Sequence, residues 1–265
     1  MLASRHGQVA LIAGAGGGVG SEVAATFAAA GYHVLAHGRT SSRADEVVAG
    51  LGDACPGGKF TPVAADVTQH ASIAEMFRKI GDEIGGLSAF VDCSQPGSGR
   101  EARDRPIVRG RFSDLDPASF ESRIVNGLVP IYTLSYYALP LLRDNGGGAI
   151  VMYGTDAGRV ALPGQSVTGP LRAALFMFAR TLAMEISGDQ IRVNAISPTY
   201  VRDTPIFERV MAGGPESRAA VAAKRAKLGL PSPKELAQLT LFLCSDAAAQ
   251  ITGQIISVNG GLSAP

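Results

Sequence analysis

The sequence predicts an α/β domain of doubly wound type, a buried parallel sheet with helices on both faces. Three observations carry the prediction. The run Gln8-Val9-Ala10-Leu11-Ile12-Ala13 has the length and apolarity of a fully buried strand. It passes through Gly14-Ala15-Gly16-Gly17-Gly18-Val19-Gly20 into an Ala-rich helix over 21–30 that stops at Gly31. Short apolar runs then alternate with segments of helix length, as βα units do. Finally, 46% hydrophobic residues and 33 glycines in 265 suit a sheet buried on both faces and joined by many turns.

Each element has a local reason. Strand, glycine turn and helix form the context of a dinucleotide site. Glycines allow positive φ and close approach of a pyrophosphate, and the helix N-terminus offers N–H groups and partial positive charge. The spacing is Gly14-x3-Gly18-x-Gly20 rather than G-x-G-x-x-G, and a tight turn that binds nothing is the plain alternative. The second strand, 32–37, ends at Gly38-Arg39-Thr40. A basic residue there favours a 2′-phosphate, so Arg39 points to NADP rather than NAD, the alternative being a solvated arginine. A helix over 42–51, a strand over 60–65 ending at Asp66-Val67, a helix over 73–84 and a strand over 87–91 follow. The stretch from Pro96 to Asp116 carries Arg100, Arg103, Arg105, Arg109 and Arg111. It reads as a grip for a phosphate-bearing substrate, an acidic partner face, or a solvated loop. Asp116-Pro117 is a good helix start, and 120–142 reads as one long helix through Pro130. Strands over 147–152, 191–196 and 254–258 and helices over 171–186 and 233–245 complete the pattern.

Composition excludes several function classes. A net charge of +1 gives no bulk attraction to nucleic acid or to an anionic membrane. No apolar run of about 18 residues predicts a membrane span, and the N-terminus has no signal-peptide pattern. Cys55, Cys93 and Cys244 are widely spaced and odd in number, which fits free thiols in a reducing cytoplasm. All four histidines (His6, His33, His37, His70) precede residue 71 without metal-ligand spacing. That argues against a zinc site or a histidine-based triad in the later half.

Several motifs occur in one order along the whole chain: Gly14-x3-Gly18-x-Gly20, Asp66-Val67, Asn126, the 155–172 segment, Asn194-Ala195-Ile196-Ser197-Pro198, and Ile251-Thr252-Gly253-Gln254 through Asn259-Gly260-Gly261. In this set the sequence resembles the short-chain dehydrogenase/reductase family in its classical length. The resemblance implies a single Rossmann-like domain with a seven-stranded parallel sheet, NAD(P) binding and often a homotetramer. The cofactor half would cover about 1–150 and the substrate half about 151–265, with a lid over about 200–231. Gly14, Gly18, Val19 and Gly20 would cradle the dinucleotide. Asp66 and Val67 would sit by the adenine, Ser94 beside the cofactor, and Pro198 at the start of the segment near the nicotinamide. Asn126 matches the asparagine that helps hold a catalytic water. In relatives the helix carrying Leu175, Phe178, Ala179 and Leu182 packs subunit on subunit; the domain's own core is the alternative.

The departures from the family pattern bear most on function. Where the family usually has Asn-Asn-Ala-Gly after the fourth strand, this chain has Asp92-Cys93-Ser94-Gln95, and only Ser94 looks equivalent. The family places a serine after the fifth strand, a tyrosine thirteen residues later and a lysine four beyond that. Reduction of a carbonyl needs a proton donor, and a tyrosine serves when a cation lowers its pKa. Those three positions hold Thr155, Thr168 and Arg172. Thr155 keeps a hydroxyl, and Arg172 keeps a charge on a planar fork. Thr168 is an aliphatic alcohol that does not ionise near neutral pH. Enoyl-carrier-protein reductases space tyrosine six before lysine, a frame that lands on Ser166. Tyr153, Tyr200 and Asp156 are candidate stand-ins, each as readily a packing or loop residue.

Three functions are therefore expected of such a chain. The first is a non-catalytic subunit supporting an active family partner in a hetero-oligomeric NAD(P)-dependent oxidoreductase, a homo- or hetero-tetramer. The second is a divergent NADP-dependent carbonyl reductase or alcohol dehydrogenase with an atypical proton donor. The third is a non-redox enzyme that reuses the pocket. No metal is expected in any of them, and the glycine turn either binds NADP or persists for its fold alone.

Overall fold

The structure is a computed structural model that describes residues 8–94 and 110–263. The arginine-rich stretch from 100 to 109 lies outside the described residues. The elements run β1 (Val9–Ala13), α1 (Gly20–Ala29), β2 (His33–Gly38), α2 (Ser41–Ala54), β3 (Lys59–Ala64), α3 (His70–Glu83), β4 (Ala89–Asp92) and α4 (Phe120–Asp144). They continue with β5 (Gly148–Tyr153), α5 (Thr168–Glu185), β6 (Ile191–Pro198), α6 (Pro205–Met211), α7 (Arg218–Arg225), α8 (Pro233–Cys244) and β7 (Ile255–Val258). The strands form one seven-stranded parallel sheet in the order β3-β2-β1-β4-β5-β6-β7.

Successive strand residues point to opposite faces, so each strand serves two cores. Ile12, Val34, Val151 and Ile196 pack under Val23, Phe27, Val47 and Leu236 of α1, α2 and α8. Leu11, Leu35, Phe90 and Ile150 pack under Ile73, Phe77, Leu134 and Leu175 of α3, α4 and α5. The stripe Leu175, Ala179 and Leu182 therefore belongs to the domain's own core, with Phe178 packed at its margin. Pro62 sits in β3, at the sheet edge, where a missing N–H is tolerated.

Several boundaries differ from the sequence expectation. α2 runs through Gly50 and Gly52 to Ala54, because nothing requires a stop before the turn at Gly57, which has positive φ. α5 runs from Thr168, with Pro170 in the first turn, where its missing N–H costs nothing. The lid segment expected over about 200–231 carries a pair of short helices, α6 and α7. Asp116 caps a 3-10 turn at Pro117–Ser119, and α4 follows through both Pro130 and Pro140. The span Pro117–Asp144 is long and apolar enough to cross a bilayer by length and composition alone. That qualifies the expectation that no segment is. In this fold one face of α4, with Ile131, Leu134, Ala138 and Leu142, lies in the core.

The turn after β1 is held from two sides. Gly14 has φ +77°, and a Cβ there would lie 2.9 Å from Cys93 C and O and Ser94 Cα. A Cβ on Gly20 would meet Gly14 O at 2.1 Å. These positions need glycine because backbone fills the space of the side chain. On the other side, buried His37 at the end of β2 accepts from Gly14 N at Nδ1 (3.2 Å) and donates from Nε2 to Ala65 O (2.9 Å). The neutral Nε2-H tautomer satisfies both partners. Burial pushes the His37 pKa below 6.5, against the opposing pull of the Ala65 carbonyl and of Asp66.

A histidine held neutral in the native state adds stability that is complete above its unfolded pKa and is lost as pH falls below it. The denaturant midpoint of the protein is expected to fall between about pH 7.5 and about pH 5 more steeply than that of His37→Gln, which can reproduce both hydrogen bonds without titrating. Parallel unfolding curves at the two pH values check this; equal slopes would remove His37 from the acid limb.

Candidate active site

Strand order reverses between β1 and β4. In open parallel sheets the crevice lies outside the carboxyl ends at such a switch point. The turn after β1, the loop after β4 and the turn after β5 all open there.

On the β1 side, α1 begins at Gly20 with Val19 as its N-cap, and no side chain caps it. The N–H groups of Gly18, Val19 and Gly20 find no acceptor among the described residues. Three donors at an uncapped helix N-terminus, beside backbone bare of side chains, fit a diphosphate. Gly16 lies under α2, where a Cβ would meet Val47 Cγ2 at 2.7 Å and Arg43 Nη2 at 3.2 Å. Arg43, ion-paired to Glu46 at 2.8 Å, thus joins Arg39 as a cation at this edge, and the N-terminus of α2 capped by Thr40 lies between them. Asp66 follows β3. Partial burial raises its pKa, but hydrogen bonds from Thr68 N (3.0 Å) and Oγ1 (2.8 Å) and the charge of Arg39 outweigh this, leaving a net lowering. Val67 packs inward on the α3–α5 core.

The β4 side departs from expectation in a definite way. Ser94 stands against Gly14, a Cβ there lying 2.9 Å from Ser94 Cα. It donates from N (2.8 Å) and Oγ (2.5 Å) to Oδ1 of Asp92, the last residue of β4. Asp92 is buried, and burial raises its pKa to about 6 despite the Ser94 hydrogen bonds and the charge of Arg172. Arg172 feels the reciprocal effects: burial lowers its pKa and Asp92 partly restores it. The structure thus joins two departures that the sequence left separate, an acid after the fourth strand and a guanidinium on α5. The available signal was an acid at position 92, where the family has a neutral asparagine, together with a guanidinium in place of an ammonium at position 172. His37 and Arg43 carried none beyond their residue type.

Thr155, Thr168 and Arg172 are brought together at the start of α5. Thr168 and Arg172 lie one turn apart on one face of the helix. A Cβ on Gly158 would touch Arg172 Cβ at 2.7 Å, and Gly158 N donates to Thr155 O (2.9 Å), so the turn after β5 seats directly on Arg172. α4 passes the same turn, a Cβ on Gly127 lying 3.0 Å from Leu171 Cδ1, which brings Asn126 to this end. The side chains of Thr155, Thr168, Arg172 and Asn126 are half-buried and make no hydrogen bond among the described residues. Gln165 Oε1, just ahead of α5, is buried without a donor among them.

Two candidate stand-ins for the tyrosine are committed elsewhere. The Tyr153 hydroxyl lies 2.6 Å from Thr240 Oγ1 and donates to Leu236 O (3.3 Å), on the α8 face of the sheet, and burial pushes its pKa well above 10. Asp156 is buried and accepts from Ser197 Oγ (3.1 Å), Asn259 Nδ2 (2.8 Å) and Ser263 Oγ (3.2 Å). It ties β5, β6 and the chain end together. Tyr200 lays its ring on the lid residues Ala222, Ala226 and Leu230. Pro198 closes β6. The lid then crosses the glycine turn, a Cβ on Gly18 lying 3.1 Å from Thr204 Cγ2 and 3.4 Å from Pro205 Cδ.

This architecture has known counterparts. The sequence model of the enoyl-(acyl carrier protein) reductase family matches residues 14–263. A 3-oxoacyl-(acyl-carrier-protein) reductase of Thermotoga maritima is 30% identical over 259 residues, covering 97% of this chain and 98% of that protein. L-sorbose reductase from Gluconobacter frateurii, solved with NADPH and L-sorbose, superposes with a TM-score of 0.85 at 26% identity over 99% of this chain and 98% of that one. A 7α-hydroxysteroid dehydrogenase solved with NADH and 7-oxo glycochenodeoxycholic acid superposes with a TM-score of 0.79 at 26% identity over 97% and 94%. With the glycine turn, the strand order and matches over nearly its whole length, the chain belongs to the short-chain dehydrogenase/reductase family.

Proposed function

We propose that this chain is a nucleotide-binding, non-catalytic subunit that supports an active family partner in a hetero-oligomeric NADP-dependent oxidoreductase. One observation carries the reading. The position of the family's tyrosine holds Thr168, and Tyr153, the tyrosine nearest the turn after β5, is hydrogen-bonded behind the sheet. The match to the enoyl-reductase model does not alter this, because the alternative tyrosine frame lands on Ser166. The aliphatic hydroxyls of Thr155 and Thr168 can orient a bound oxygen but hold their protons near neutral pH.

The nucleotide half of the proposal rests on fit. The cradle left by Gly14, Gly16 and Gly20 and the donors at Gly18, Val19 and Gly20 suit a pyrophosphate. Arg39 and Arg43 at the end of β2 favour a 2′-phosphate, and Asp66 would meet the adenine. A bound nicotinamide nucleotide supplies or accepts a hydride; in this reading the chain's own residues bind and orient it. NADPH is expected to raise the Tm by several degrees when it is at about 100 times its Kd. Arg39→Gln with Arg43→Gln should weaken NADPH about tenfold or more and leave NADH unchanged. Nucleotide fluorescence and thermal shift read both, and no binding at millimolar nucleotide would overturn this half.

A second reading is favoured by Asp92, whose buried carboxyl titrates near 6 in contact with the Ser94 hydroxyl. That group suits the proton donor of a divergent reductase. The two readings differ in one assay. In the first, the purified chain does not consume NADPH with acetoacetyl substrates, and Thr168→Tyr with Arg172→Lys restores measurable turnover. In the second, the unmodified chain turns over, the rate falls as pH rises through about 6, and Asp92→Asn abolishes it.

The partner would cover the outer face of α4 and α5. Ile124, Val125, Val129, Tyr132 and Tyr136 on α4 and Met177 and Met184 on α5 are exposed, Tyr136 and Met184 by 69% and 82%. Such a patch on a folded chain marks an interface, and a second subunit of the same fold offers the matching helix pair. Tyr136→Glu with Met184→Glu is expected to shift the sedimentation profile from an assembly to the single chain. An unchanged profile would move the interface elsewhere.

A further inference from the structure

Arg172 poses an unmet demand. It is half-buried, and among the described residues its guanidinium makes no hydrogen bond or ion pair that would satisfy its five N–H donors. Asp92 acts on it electrostatically, but Asp92 Oδ1 is already taken by Ser94 N and Oγ. Three further polar side chains at this end of α5 and on the segments packed against it are also without partners among the described residues. The Thr168 hydroxyl is one helical turn away, Thr155 belongs to the turn seated on Arg172, and Asn126 lies where α4 meets Leu171. A cluster of this kind calls for an acceptor. The ligand must be planar to use a guanidinium fork bidentately. It should be a monoanion, since the Asp92 carboxylate, close enough to act electrostatically on Arg172, opposes a second negative charge and so disfavours a phosphate dianion.

We propose that Arg172, Thr155, Thr168 and Asn126 form a carboxylate-binding subsite, in which Arg172 takes both oxygens of a small organic acid and the two threonine hydroxyls and the Asn126 amide hold the neighbouring polar atoms. The ligand class is thus an anionic oxo or hydroxy acid rather than a neutral ketone. The subsite lies in the same cleft as the function proposed above and rests on that reading only in that no phenol fills the Thr168 position. Nucleotide binding enters it separately.

The test compares acetoacetate with methyl acetoacetate, which share a skeleton and differ in charge. Calorimetric titration of the full purified chain, with and without NADPH, should give acetoacetate at least about tenfold tighter than the ester. Arg172→Gln should abolish the difference, Arg172→Lys should keep only part of it because a point charge lacks the fork, and Thr155→Val should weaken the acid several-fold. Unfolding midpoints show which variants are folded, and Arg172→Lys alone carries the comparison if Arg172→Gln is not. Equal affinity for acid and ester, binding of neither, or discrimination that survives loss of the fork would each overturn the proposal. Nucleotide fluorescence in the same samples reports NADPH separately, so failure of the nucleotide reading leaves the acid and ester comparison standing, and the reverse holds as well.

Discussion

The structure depends on one close approach of backbone to backbone. The chain leaves β1 at Gly14, turns, and returns at Gly20 to within a distance of the Gly14 carbonyl that admits no side chain. This sets the axis of α1 over the sheet and aims its unpaired N–H groups at the crevice. It also leaves the Gly14 N–H for His37, which carries the constraint across β2 to the end of β3. The β4 loop closes the other side, since Gly14 has room for Cys93 and Ser94 only without a Cβ. Three strand ends are thus referenced to one turn. The geometry of the crevice is a property of backbone contacts before any functional side chain enters.

Much of this was legible from residue order. A parallel sheet buried on both faces shows itself in continuous apolar runs such as Val9–Ala13, because neither face needs polar residues. The glycine cluster was informative through its position between strand and helix. What the pattern concealed has physical causes. α2 passes through two glycines because those positions face open space, where the missing side chain costs only propensity. Tyr153 looked like a candidate for the cleft because alternation along a strand does not say which face is the active one. Its hydroxyl found Thr240 across the α8 side.

The site was legible in part. Residue spacing set Thr168 and Arg172 one turn apart, and they share a face of α5 on which the Asp156–Gly158 turn, following Thr155, is seated. Spacing could not reveal the acid beneath. Asp92 is eighty residues from Arg172 in sequence, and their relation exists only because the fold brings the end of β4 within electrostatic range of the start of α5. A neutral asparagine and a lysine in the family's pattern are here an acid and a guanidinium. The local field of the cleft floor is therefore of a different kind, although the fold around it is the same.

The seat of the lid on the glycine turn has a mechanical meaning. Thr204 touches the space above Gly18, caps α6 by accepting from Phe207 N (3.2 Å), and donates to Val201 O (2.8 Å). One side chain is thus at once a wall of the phosphate cradle and the first support of a lid helix. From that joint the chain runs on through the α6–α7 pair to Arg218, which lies against Gly164 ahead of α5. The wall of the cradle and the first support of the lid are thus one residue, so neither can be repacked without the other.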